Sequence, residues 1–159
     1  MSDIFKIRRA QPTDKAALLN VWHALYQWHH MHCEEMIKPP CIKELDAEIE
    51  SYLSTLDCCI FLLEVKGAVA GFISGQLCQM HSPLLSSQTV GSIDHWFVEQ
   101  RYRKMGGGIA LLERLQSEFS DHGAVRVNAE VWGFNESALC VYRKHGFKTH
   151  IHCMTKSIV

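Results

Sequence analysis

Three consecutive glycines, Gly106, Gly107 and Gly108, separate the basic and aromatic cluster Arg101, Tyr102, Arg103 and Lys104 from an apolar run that opens with Ile109. A glycine inside a helix costs roughly 1 kcal/mol relative to alanine, so a triplet where a helix is about to begin needs a reason outside helix formation. Bare backbone N–H groups at the positive end of a helix dipole form a seat for an anion. Glycine allows the close approach and the positive φ that such a seat requires, and Arg101, Arg103 and Lys104 add cationic reach. The guest this stretch predicts is a phosphate or pyrophosphate. Two common phosphate motifs are excluded. No Gly-Lys-Ser/Thr run follows the triplet, and a dinucleotide fingerprint is not completed, because Leu111 stands three positions past Gly108.

The surrounding elements should hold that seat at the end of a strand. "VGSIDHWFV" (90–98) reads as a strand entering the glycines, and "GIALLERLQSEF" repeats Ile109, Leu112, Leu115 and Phe119 at helical spacing on the far side. Upstream, "IFKIRR" is a short first strand. "PTDKAALLNVWHALY" carries Leu18, Leu19, Trp22, Leu25 and Tyr26 on one helical stripe, and "IKELDAEIESYL" carries Ile42, Leu45, Ile49 and Leu53 on another. "CCIFLLEV" and "AVAGFISGQL" form a hairpin about Lys66-Gly67, and "HSPLLSSQ" is a loop. "AVRVNAEVW" alternates so that Val125, Val127, Ala129 and Val131 share a face. "NESALCVYRKHG" is a last helix with Asn135 as N-cap and Gly146 as C-cap, and "FKTHIHCMTKSI" reads as a closing strand. Strands that flank the glycine helix need a crossover to lie parallel. The expected class is therefore α/β, in the α+β sense of a mixed sheet with about four helices on its two faces.

Composition narrows the function classes. The 159 residues fit one domain spanning 1–159, and Lys+Arg of 16 against Asp+Glu of 17 gives no basic excess, so nucleic acid is not the expected partner. No apolar run approaches the ~20 residues of a membrane span and the first residues lack a secretory pattern, which predicts a cytoplasmic protein without membrane partner. The seven cysteines are an odd number at no framework spacing, read as reduced thiols. His29, His30, His32 and Cys33 crowd into five positions but form no C-x-x-C or H-x-x-x-H pair. They are read as a polar, substrate-facing loop, and no metal is expected.

Arg103, Gly106 and Gly108 spell R-x-x-G-x-G between a strand and a helix, and Asn135, Ala138, Tyr142, Gly146 and Phe147 follow in a later helix. In type, order and element this pair of motifs resembles the GNAT superfamily of acetyl-CoA-dependent N-acetyltransferases. The resemblance implies the GNAT-like acyl-CoA N-acyltransferase fold and acetyl-CoA as cosubstrate. It implies a cleft where the strands 90–98 and 124–132 splay apart and pantetheine pairs with the backbone of Phe97 and Val98. Cofactor contacts then fall to Phe97, Val98, Arg103, Lys104, Met105, Gly106, Gly107, Gly108, Ile109, Asn135 and Tyr142, with the Val98 N–H polarising the thioester carbonyl. Two positions depart from the family pattern: Gly107 stands where a larger apolar residue is common, and Ser92 where some members place a glutamate.

Acyl transfer to an amine needs the neutral amine, and an ammonium of pKa near 10.4 is neutral in only about one molecule per thousand at pH 7. Asp94 is the candidate proton acceptor because, in a regular strand, it faces the same side as Ser92, Trp96 and Val98. His95 competes on pKa but falls on the opposite face unless a bulge intervenes. Tyr142 is the candidate proton donor to the leaving thiolate, with a core tyrosine as the alternative reading of its spacing. Substrate contacts are assigned to Trp22, Tyr26, Glu34, Glu35 and Asp94, acids for a cation and aromatics for its apolar part. A small-molecule amine is favoured over a protein or peptide tail, and a catalytically silent CoA-binding sensor is the non-enzymatic alternative. Oligomeric state is left open, with a homodimer among the options.

Overall fold

The computed structural model describes residues 4–159 and follows the expected element order up to its last strand. β1 (Lys6–Arg9) leads through a short 3-10 turn to α1 (Lys15–His32) and α2 (Ile42–Ser54). The hairpin β2 (Cys58–Val65) and β3 (Ala68–Met80) follows, then β4 (Gln88–Val98), α3 (Gly107–Asp121), β5 (Arg126–Ala129) and α4 (Glu136–Lys144). The strands form one sheet in the order β1-β2-β3-β4-β5, antiparallel except for the parallel pair β4 and β5. Lys66 and Gly67 turn the hairpin with φ of 51° and 80°, the paired left-handed residues that match strand twist in a two-residue loop.

Strands β2 and β3 are near-continuous apolar runs because both faces of the sheet are covered. Ile60, Leu62 and Phe72 face α1 and α2, where Leu18, Val21, Trp22, Leu25, Leu45 and Ile49 are buried. Phe61, Leu63 and Ile73 face α3, whose Leu111, Leu112, Leu115 and Phe119 complete the opposite core. Phe119 lies flat against the sheet over Gly91: a Cβ added there would stand 2.1 Å from its ring. α4 closes the second core through Ala138 and Tyr142. It ends as Gly146 (φ 86°) donates to the Arg143 carbonyl and Phe147 to that of Tyr142, the two bonds of a Schellman cap.

Two expectations need correction. Residues 29–33 are not a loop: α1 runs through His32, and the Nδ1 atoms of His29 and His32 bond the carbonyls of Leu25 and Trp28 one turn back. The segment 148–159 is not a strand here. It carries no regular structure and every residue in it is exposed. Alternation describes a strand's faces, but a strand forms only where a neighbour takes its backbone hydrogen bonds.

Candidate active site

β4 and β5 pair only from Val90 with Arg126 to Ile93 with Ala129. Past that point β4 continues through Asp94 to Val98 without a partner on that side, and a cleft of about 1330 Å³ opens between it, α1, α2, α3 and the start of α4. Backbone direction follows from one bond: Glu99 donates to Ala70 of β3, so by strand alternation the N–H groups of Trp96 and Val98 point the other way, into the gap. Phe97 therefore directs its backbone groups at β3, while Val98 offers its N–H to the cleft. The Val98 carbonyl already accepts from Arg103 Nε at 2.7 Å.

At one end of the cleft stands the N-terminus of α3. Of the three glycines only Gly106, the cap, takes the positive φ expected of them, at 85°, and Lys104 two residues earlier has φ 63° as well. Arg103, Lys104, Gly106, Gly108 and Ile109 line the cleft; Met105 and Gly107 do not. Gly107 instead presses onto β2, where an added Cβ would lie 2.7 Å from Leu63 Cδ2. That contact explains the glycine at this position. At Gly108 an added Cβ would meet only Val98 Cγ2 at 3.6 Å and the Trp96 indole at 3.8 Å, so the space beside it is left for something other than protein.

The opposite wall is built by a β-bulge. Ser74 of β3 pairs with His95 and the next residue, Gly75, with Ile93, leaving Asp94 as the extra residue. The bulge turns two successive polar side chains the same way, so Asp94 and His95 both face α1 and α2 while Trp96 and Val98 pack toward α3. The expected placement of Asp94 with Trp96 and Val98, and of His95 opposite to Asp94, is thereby corrected.

Asp94 is held by three donors: Ser92 Oγ at 2.7 Å, Gln76 Nε2 at 3.0 Å and the Tyr52 hydroxyl. His95 lies with Nδ1 2.7 Å from Ser74 Oγ and Nε2 2.8 Å from the Tyr26 oxygen. Tyr26 in turn donates to the Glu48 carboxylate, 2.9 and 3.0 Å from its two oxygens. If Ser74 donates to Nδ1 and the Nε2 proton to Tyr26, each of these groups is satisfied and every proton points toward Glu48. Burial is the main cause of each shift here. It pushes His95 down to about 3 and raises Glu48 and Tyr26, the nearby Asp94 charge raising Glu48 further.

Stability should report the neutral histidine. The unfolded His95 titrates near 6.5 and the folded one far below, so its contribution is present above pH 6.5 and is lost as pH falls toward the folded value. One proton at about 1.4 kcal/mol per pH unit predicts a loss of ~2 kcal/mol between pH 6.5 and 5. Urea unfolding across that range should show the slope in the wild type and lose most of it in His95→Gln; an unchanged slope would mean that another group titrates.

Tyr142 is buried with its ring edge-on to Trp96 at 5.2 Å and to Phe147 at 4.9 Å. Its hydroxyl has no hydrogen-bond partner among the described residues, it lines the cleft, and burial raises its pKa. Asn135 caps α4 by accepting from the Ala138 N–H at 3.1 Å and also lines the cleft. Of the expected substrate contacts, Tyr26 and Asp94 line the cleft. Trp22 is fully buried in the α1–α2 core, and Glu34 and Glu35 lie exposed in the turn after α1, outside the cleft lining.

The residue missed from sequence is Glu48. Its signal was present: Leu45, Glu48 and Tyr52 follow at helical i, i+3, i+4 steps, which puts a carboxylate on the edge of the stripe that faces the sheet.

Comparisons with known proteins agree with this geometry. The acetyltransferase (GNAT) family profile matches residues 22–147. No curated protein matches the chain. Among solved structures, a mutant of the BH1408 protein from Bacillus halodurans superposes with a TM-score of 0.88 at 15% identity, covering 97% of this chain and 99% of that one. An acetyltransferase from Vibrio fischeri is similar with a TM-score of 0.67 at 28% identity over 80% of this chain and 96% of that one. The aminoglycoside N-acetyltransferase AAC(6')-Iy, solved in complex with CoA, gives 0.74 at 17% identity over 96% and 93%.

Proposed function

The chain belongs to the GNAT family of acetyltransferases, and from that premise we propose that it transfers the acetyl group of acetyl-CoA to a primary amine of a small molecule, with both substrates bound at once. The observation that carries the reading is the unpaired run of β4 from Asp94 to Val98, which has a glycine-bare helix N-terminus at one end and a carboxylate-bearing wall at the other.

Acetyl-CoA fits these residues by type. The α3 N-terminus with Arg103, Lys104, Gly106, Gly108 and Ile109 suits a pyrophosphate, and the open edge of β4 suits the amide-bearing arm behind it. When bound, the cosubstrate supplies an activated acetyl thioester. The Val98 N–H, already aimed into the gap, is the donor for the acetyl oxygen. Glu48, whose raised pKa brings it closer to neutrality, is the group that takes the ammonium proton. Asp94 adds a second negative charge that draws the cation and, with its oxygens held by Ser92, Gln76 and Tyr52, stays fixed in place. His95, buried and neutral, keeps Tyr26 turned toward Glu48. Tyr142 keeps its proton at neutral pH and presents it to the departing sulfur.

Glu48 and Asp94, together with the rings of Tyr26 and Trp28, line the cleft, while Glu44 there is already paired with Lys38 at 2.6 Å; the first two acids favour a compact cation with an apolar body. The likeness to an aminoglycoside acetyltransferase supports a small acceptor. Thiol release from acetyl-CoA measured across a panel of aminoglycosides, polyamines, arylalkylamines and amino-terminal peptides tests the reading. Amine-dependent release with the small cations supports it, release only with peptides moves the acceptor class, and tight CoA binding without release supports the sensor instead. Gly108→Val should weaken CoA binding at least tenfold by calorimetry with little loss of stability, because a Cβ there meets only ordinary contacts in the protein. Unchanged affinity would remove the α3 terminus from the site.

A further inference from the structure

We propose that Trp132, together with Trp28, forms a ring site that selects an arylethylamine at the acceptor end, with the ammonium at the Glu48 wall and the aryl ring against the Trp132 indole. As a statement about the acceptor, this rests on the acetyl-transfer reading above. The cleft carries a cluster of rings that neither the cosubstrate nor the proton chemistry uses. Phe134, in the loop between β5 and α4, packs among three rings at the end of α1: Trp28 at 5.9 Å, His29 at 6.0 Å and His32 at 6.1 Å between centroids. His32 in turn stacks on Trp28 at 4.1 Å, and Trp132 stacks on Phe134 at 6.0 Å with 23° between the planes.

Packing between α1 and the loop accounts for Phe134 and His32, which stand behind the cleft lining. It does not account for Trp132, which is 42% exposed, lines the cleft and has Phe134 as its one ring partner among the described residues. An indole held by a ring on one face leaves the other face for a planar guest, since aromatic pairs are favourable at these separations. Trp28 also lines the cleft, from the α1 side. Aromatic walls with a few convergent polar groups are the usual make-up of a site for a small organic ligand.

The spacing of the two regions selects the linker. Tyr26 donates to Glu48, and His29, three residues on along the same stripe of α1, stands edge-on to Trp28 and Phe134. Three residues of helix rise about 4.5 Å, so the ring layer stands nearly one turn beyond the carboxylate wall. A two-carbon chain between an ammonium and an aryl ring covers that span. An unbranched alkylamine would reach as far but bring nothing flat to the indole.

Calorimetry on the CoA-saturated protein tests the site without requiring turnover. Phenethylamine should bind about fivefold more tightly than cyclohexylethylamine, which has the same charge and linker and a similar apolar bulk but no flat face. Trp132→Leu keeps an apolar side chain at an exposed position and removes the ring, so the two affinities should become equal. Trp132→Phe should restore most of the preference. Equal affinities in the wild type, no binding of either amine at millimolar concentration, or a preference that survives Trp132→Leu each overturn the proposal. The preference without amine-dependent thiol release upholds the ring site and removes the acetyl-transfer reading. Thiol release with both amines bound equally does the reverse.

Discussion

Glu48→Gln is expected to lower kcat by about a thousandfold, near 4 kcal/mol of barrier, at the centre of the usual range for a lost general base. Glutamine keeps an oxygen for the Tyr26 hydroxyl, so the wall should remain built while the proton acceptor is gone. Burial and the Asp94 charge raise the Glu48 pKa, and only its carboxylate form accepts a proton. Activity of the wild type should therefore fall as pH drops through a value above the ordinary glutamate range, and that limb should vanish from the Glu48→Gln profile. Asp94→Asn is the control. It should cost roughly tenfold, because Asp94 contributes charge and not proton transfer. A larger loss in Asp94→Asn than in Glu48→Gln would return the role of base to Asp94.

Tyr142→Phe should lower kcat about a hundredfold while changing the KM for acetyl-CoA by less than about twofold. The hydroxyl has no partner to lose among the described residues, and the ring contacts with Trp96 and Phe147 remain. Stability should therefore stay within ~0.5 kcal/mol of the wild type. Burial raises the phenol pKa, so the group is fully protonated throughout the assay range and its loss should not reshape the pH profile. The reverse pattern, a drop in melting temperature with kcat intact, would make Tyr142 a packing residue only.

Local patterns were sufficient for most of the fold. Helical stripes placed α1, α2 and α3, Lys66-Gly67 placed the hairpin, and Asn135 with Gly146 bounded α4, because each of these depends on neighbours a few positions away. The glycine-bare start of α3 was legible for the same reason, since the positive φ of Gly106 is a property of the glycine itself. What depends on partners distant in sequence was not legible. Gly107 faces Leu63 across the core, a contact 44 residues apart in numbering, and the two glycines beside it give no hint of that difference. The bulge at Asp94 is set by the register between β3 and β4, which period-two reasoning cannot see. Trp22 looked like a substrate contact because an aromatic on an amphipathic stripe reads the same whether it ends in the core or at the rim.

The extra residue in β4 also bears on how such a domain diversifies. Since Asp94 pairs with nothing on β3, a one-residue deletion there would leave the rest of the ladder joined in an unbroken register. The cleft would lose a carboxylate and the side-chain hydrogen bonds it accepts from Ser92, Gln76 and Tyr52, and the backbone ladder would remain. A change of one residue at this point in β4 would thus alter the charge of one cleft wall without touching the backbone conformation of Lys104 to Gly108 at the other end.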